Sequence, residues 1–132
     1  MAASVHVDII TPESTKFAGA ADSIQLPTVD GEIGILKDHN ALVTMLAAGT
    51  AKIHIGSAIQ EVVVGEGFAT VLGNRITCLV DSAVNREDIR VGEIDGRVAE
   101  LERSRDSSGR LSGSLQAEFD YLRAQQRAVA TK

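Results

Sequence analysis

The sequence predicts an N-terminal antiparallel β-sandwich or barrel over residues 1–85, followed by an antiparallel two-helix hairpin over residues 86–132. Three observations carry this. Val, Ile and Thr together number 26 in residues 1–85 but 6 in residues 86–132, and branched side chains favour a pleated surface because their stiff rotamers pack well on it. Short apolar runs in the first part are separated by turn residues with no helical stretch between them, the pattern of antiparallel sheets rather than of βαβ units. In the second part the apolar spacing changes from two to three and four. Charge divides at the same place: residues 1–85 hold 4 basic and 9 acidic side chains, and residues 86–132 hold 9 of each.

In chain order, Ser4-Val5-His6-Val7-Asp8-Ile9 is apolar on odd positions, so this strand buries one face and leaves His6 on the polar side. Further strand-like runs follow at 23–26, 32–36, 42–46, 51–55, 60–64, 68–72 and 75–80. Thr11-Pro12-Glu13, Asp30-Gly31, Gly49, Gly56-Ser57, Gly65-Glu66-Gly67 and Gly73-Asn74 punctuate them. Gly73-Asn74 joins two apolar runs and predicts a two-residue hairpin turn. Asn85 reads as a helix N-cap, with Glu87 and Asp88 in the favourable first turn. Val91, Ile94, Val98 and Leu101 then form one apolar stripe. Ser107-Ser108-Gly109 allows a reversal, after which Leu115, Phe119 and Leu122 resume the stripe, flanked by Ala117, Ala124 and Ala128. Gly92 and Gly96 each cost a helix about 1 kcal/mol against Ala; they read as sites of close helix packing, the reading residue type favours, or as a helix kept marginal so that it can rearrange. A hairpin of this size, without disulfide or metal, is too small to fold alone. It is expected to dock on the sandwich or on another protein, with a changeable resting place.

Several function classes fall away. The net charge of -5 argues against a nucleic-acid partner, which requires clustered Lys and Arg. The single cysteine, Cys78, excludes an internal disulfide and a thiolate zinc cluster, and in an apolar strand it reads as inert core. His6, His39 and His54 lack metal-ligand spacing, and no Gly-x-Ser-x-Gly elbow occurs. Gly65-Glu66-Gly67-Phe68-Ala69-Thr70 lacks the third glycine and following helix of a dinucleotide loop and reads as a β-turn. No apolar stretch approaches the ~18 residues that span a bilayer, and Met1-Ala2-Ala3-Ser4 carries no secretory pattern. A soluble intracellular chain without metal, cofactor or catalytic constellation is expected. An alternative class, a small ligand-binding β-sandwich with a helical oligomerisation tail, calls for exposed aromatics. The chain has no Trp, one Tyr (Tyr121) and three Phe.

Specific segments add a resemblance. Val7-Asp8-Ile9-Ile10-Thr11-Pro12-Glu13, Phe17-Ala18-Gly19 and Leu26-Pro27-Thr28-Val29-Asp30-Gly31-Glu32-Ile33-Gly34-Ile35-Leu36 resemble the epsilon subunit of bacterial F-type ATP synthase. The mitochondrial delta subunit belongs to the same family. His39, Leu42-Val43-Thr44, Gly49, Gly67-Phe68, Asn74 to Ala83 and Glu87-Asp88-Ile89 continue the match, which runs the length of the chain.

The resemblance implies a non-catalytic central-stalk, or rotor, subunit whose partners are the gamma subunit and the c ring. It implies a peripheral place on the cytoplasmic face of the inner membrane, or the matrix or stromal equivalent, without membrane insertion. The loop of Asp30, Gly31 and Glu32 would face the c ring, with Glu32 meeting a basic group there. His39, Leu42 and Val43 would face gamma. Where the family commonly shows Pro-Gly before this histidine, the chain has Lys37-Asp38. The C-terminal hairpin is regulatory in many bacterial members: extended, it reaches the catalytic alpha and beta subunits and blocks hydrolysis. Arg123 and Arg127, neighbours on one helical face, are the basic residues so implied, in a segment (110–132) where Arg110 and Lys132 add charge against Glu118 and Asp120. Some members bind ATP through Ile-Asp-x-x-Arg-Ala. Here Arg90 and Glu93 reverse both charges of that motif, which argues against nucleotide binding.

Overall fold

The computed structural model describes residues 5–106 and 109–130. Ser107 and Ser108 of the expected reversal, and Lys132 of the basic end, lie outside the described residues. Ten strands form one curled sheet: β1 Val5–Ile10, β2 Thr15–Ala21, β3 Ser23–Thr28, β4 Gly31–Ile35, β5 Leu42–Leu46, β6 Gly49–Ile55, β7 Ala58–Val64, β8 Gly67–Leu72, β9 Arg75–Val80 and β10 Ala83–Asn85. Their order is β10-β7-β6-β3-β5-β8-β9-β1-β2, with β4 paired to β3. The sheet folds over so that β2 reaches β6 and β10, enclosing a core that includes Val7, Ile9, Ile24, Leu26, Ile53 and Ile76. A 3-10 turn, Arg86–Asp88, leads to α1 Val91–Arg103 and α2 Gly113–Ala130. The sandwich followed by two helices agrees with the expectation.

Alternation explains most of the sheet. Val5, Val7 and Ile9 point inward from β1, and Ile76, Cys78 and Val80 do so from β9. Gly73 and Asn74 both take left-handed φ, 58° and 65°, and turn β8 into β9 as the sequence predicts. Pro27 is tolerated inside β3 because that strand changes neighbours there. Residues 23–25 pair with β6, Thr28 pairs with β5, and Pro27 offers only its carbonyl, to Ala47 N at 3.0 Å.

Four features differ from the sequence reading. β1 and β9 pair in parallel, with His6 opposite Arg75 and Ile10 opposite Leu79. The long stretch of chain between them allows that direction, which a short hairpin connection would not. β2 is an additional strand, built on the free edge of β1 despite the Ala- and Gly-rich segment Thr15-Lys16-Phe17-Ala18-Gly19-Ala20-Ala21. β10 adds three residues against Val62–Val64. Asn85 does not cap α1. It ends β10, and its side-chain oxygen accepts from Gln60 Nε2 at 3.2 Å, so α1 begins after an uncapped Arg90.

Gly92 and Gly96 are also corrected. A Cβ built on either meets nothing within 4 Å, so neither glycine is needed for helix packing. Both lower the helical propensity of α1 on its open side. Gly92→Ala and Gly96→Ala are therefore each expected to stabilise the chain by about 1 kcal/mol, measured as an upward shift of the urea midpoint. A downward shift in both would show that the helix needs these positions bare.

Candidate functional site

The outward face of β5, β8, β9 and β1 follows from the ladder registers. Met45, Phe68, Leu79 and Ile10 form one cross-strand row; Val43, Thr70, Thr77 and Asp8 form the next; Leu72, Arg75 and His6 form a third. Val43 is 73% exposed, Leu72 71% and Met45 60%, an unusual concentration of open apolar side chains on one sheet face. A polar corner bounds it: Arg75 donates to Asp8 Oδ2 at 2.9 Å, and His6 Nε2 lies 3.2 Å from Asp8 Oδ1. Composition did not reveal this face, since its outward apolar residues come from four separate strands.

The residues assigned to gamma divide. Val43 stands on this face and His39 is exposed in the loop before β5, whereas Leu42 is half-buried and packs against the core. Asp38, in the loop before His39, takes a left-handed φ of 64°. Its strain is offset by Asn74: Asp38 N donates to Asn74 Oδ1 at 2.6 Å, and Asn74 Nδ2 donates back to Asp38 Oδ1 at 3.3 Å. The His39 loop is thereby tied to the β8–β9 turn at one end of the apolar face.

Asp30, Gly31 and Glu32 are all exposed at the β3–β4 turn, with Gly31 at φ 115°. The turn is pinned from below by the buried Thr28, whose hydroxyl donates to Gly31 O and accepts from Asp30 N at 3.1 Å. Asp30 lies in the turn and Glu32 in β4, so the two carboxylates do not share one strand face. Val29 N bonds Met45 O at 3.2 Å, joining this acidic turn to the edge of the apolar face.

The hairpin rests on the sandwich. Ala124 and Ala128 of α2 pack on Val63, with Ala48, Val84, Ile89 and Tyr121 around them. Burial pushes the Tyr121 hydroxyl up to about 12. Arg123 and Arg127 are exposed and border a cleft of about 500 Å³ whose opposite wall includes Val29, Met45 and Glu66 of the sandwich. α1 packs on α2 through Ile94, Val98, Leu101, Phe119 and Leu122. Arg97 clasps Glu118 with two bonds, 2.7 and 2.9 Å, and also pairs with Glu100, while Gln126 donates to Asp95 at 2.8 Å.

The bonds from Arg97 hold the Glu118 carboxyl below its ordinary value against an opposing burial effect. A depressed folded-state value means that the clasp's contribution is fully present above the ordinary carboxylate range, roughly pH 4, and is lost as pH falls through the lower folded value. Amide exchange in α1 is thus expected to speed up in acid relative to β9, and Glu118→Gln is expected to abolish that dependence. An unchanged acid response in the variant would sink this assignment.

Among the described residues no group of three or more His, Cys, Asp or Glu side chains could hold a metal. Cys78 is fully buried, and that burial, with Asp8 adding to it, pushes the thiol up to about 12. No described helix is long and apolar enough to cross a membrane. Arg90 and Glu93 pair with each other at 3.4 Å on the open surface of α1.

The curled β-sandwich is of the ATP synthase delta/epsilon class: residues 4–86 match the family described as ATP synthase, Delta/Epsilon chain, beta-sandwich domain. The ATP synthase epsilon chain of Desulforamulus reducens is 34% identical over 125 residues, covering 95% of this chain and 89% of that one. The chloroplastic epsilon chain of Chlamydomonas reinhardtii is 32% identical, covering 98% and 96%. The chain belongs to the ATP synthase epsilon chain family. In fold it is similar to a chain of the Euglena gracilis mitochondrial ATP synthase, solved with OSCP, F1 and the c ring, at TM-score 0.79 and 20% identity over 98% of this chain and 83% of that one. A chain of the Tetrahymena thermophila central stalk and c ring gives TM-score 0.58 at 15% identity, covering 96% and 90%.

Proposed function

We propose that the chain is a non-catalytic central-stalk subunit of an F-type ATP synthase, seated between the gamma subunit and the c ring and coupling ion flow to ATP synthesis. The open apolar face of β5, β8 and β9 carries this reading, because a concentration of exposed apolar side chains on one sheet face marks a site where a partner docks. Gamma is the partner assigned to it, with Val43 on the face and His39 at its end; Leu42 acts from beneath, by supporting Val43's strand. The Asp30–Gly31–Glu32 turn is assigned to the c ring, with Glu32 as the charged contact. The hairpin is the regulatory part, reaching alpha and beta subunits through Arg123 and Arg127 when it extends. The protein would sit peripherally on the energised membrane, held by protein contacts. The charges of Arg90 and Glu93, reversed from the ATP-binding motif that the resemblance brings with it, support a hairpin that works without bound nucleotide.

The test uses a cognate catalytic head with gamma, stripped of this subunit, to which the full chain or residues 1–85 are added. Binding and ATP hydrolysis are followed together. Binding by both, with inhibition by the full chain alone, is the expected result. Binding without inhibition would remove the regulatory role, and failure of the folded full chain to bind would overturn the stalk assignment.

A further inference from the structure

We propose that Asn74 and Asp38 form a latch that holds the loop of residues 36–41 in its gamma-docking shape before the partner arrives. The docking half of this rests on the assignment of the open face to gamma. The loop joins β4 to β5, and all six of its residues are exposed, so burial does not fix its path. Among the described residues, the two hydrogen bonds that tie it to another part of the chain both run to Asn74. Asp38 N donates to Asn74 Oδ1 at 2.6 Å, and Asn74 Nδ2 donates to Asp38 Oδ1 at 3.3 Å. Inside the loop, His39 N donates to Leu36 O at 3.2 Å and closes a turn around Lys37 and Asp38. Asp38 holds its φ of 64° there, in a region that residues other than glycine adopt infrequently.

Asn74 is itself held firmly. It sits in the two-residue turn between the paired Leu72 and Arg75, and its main-chain oxygen accepts from His6 N at 2.9 Å. The sheet thus fixes its backbone, and its side chain is left for the loop. The end of the face beside it carries Val43 and Leu72, and the loop adds His39 and Leu36, the latter 63% exposed. An untied loop of exposed residues would present those two side chains in many arrangements, of which few match one partner surface. Apparent affinity falls in proportion to the fraction of free molecules already in the binding shape. A tie to a rigid turn keeps that fraction high.

The test uses the full-length chain. Asn74→Gly removes the latch and little else, because glycine keeps the left-handed φ of the turn and the carbonyl that receives His6 N. Amide exchange at Asp38, followed by NMR on the free chain, is expected to rise about tenfold or more once its acceptor is gone. Association with a gamma-containing catalytic head should slow roughly five- to tenfold, since only chains with the loop in place can dock, while dissociation and the melting temperature stay close to the parent's. Asp38→Asn is the conservative variant: its amide oxygen still accepts from Asn74 Nδ2 and asparagine tolerates the same φ, so it should keep slow exchange and fast association. Unchanged exchange in Asn74→Gly would show that the loop is held without Asn74. Faster exchange with association at the parent rate would show that gamma does not read the shape of the loop. Either result overturns the proposal. Failure of the parent to bind the head would overturn the docking half together with the stalk assignment, and exchange at Asp38 separately decides whether Asn74 holds the loop.

Discussion

Replacing Met45 and Phe68 together by glutamate is expected to weaken binding to a gamma-containing catalytic head roughly a hundredfold, the loss typical of residues at the centre of an interface. The two side chains are cross-strand partners on the open face, 60% and 40% exposed, so neither supports the core. Two carboxylates would set unpaired charge against an apolar partner and add to the nearby Asp8. The melting temperature of the isolated chain should change little, since exposed substitutions rarely shift stability by more than about 0.5 kcal/mol. Affinity measured against immobilised head, beside a thermal melt of the free variant, separates the two effects. Unchanged affinity with an intact fold would show that gamma docks elsewhere.

Gly67→Ala is expected to act in the opposite way, destabilising the chain by about 3 kcal/mol or more without touching any exposed contact. A Cβ at Gly67 would lie 2.1 Å from the backbone oxygen of Leu79 and 2.7 Å from the Cα of Val80. Both obstacles are main chain, so no rotamer can relieve them. The only relief is to part β8 from β9 where Gly67 pairs with Val80, at the edge of the outward row of Phe68 and Leu79. Urea denaturation followed by circular dichroism reads the loss. A midpoint close to that of the parent would mean that the two strands separate more freely than the register implies.

The strands that were legible in the sequence are those whose side chains alternate against a core, such as Val5, Val7 and Ile9 or Ile76, Cys78 and Val80. β5 and β9 have the expected bounds for the same reason. β2 was not legible because it is held by main-chain pairing to β1, which leaves little trace in side-chain type. Asn85 has the chemistry of a cap, but its oxygen is engaged by Gln60, a residue 25 positions away that local pattern does not connect to it. The glycines of α1 were misread because propensity says what a residue costs, not what lies beside it. In the candidate site, Val43 was recoverable through the resemblance, whereas its grouping with Met45, Phe68, Leu72 and Leu79 required the strand order.

The parallel pairing of β1 with β9 governs how the chain comes off the ribosome. β1 can zip onto β2 as soon as both emerge, but its other edge fits residues Arg75 to Leu79. At ordinary synthesis speeds that edge stays bare for on the order of several seconds. Throughout that interval Val7 and Ile9 sit on a half-made hairpin in water, available to any stray strand or to a holding chaperone. A nascent chain halted before Arg75 has nothing with which to close its own sheet, so β1 is made well before β9 and is among the last strands secured.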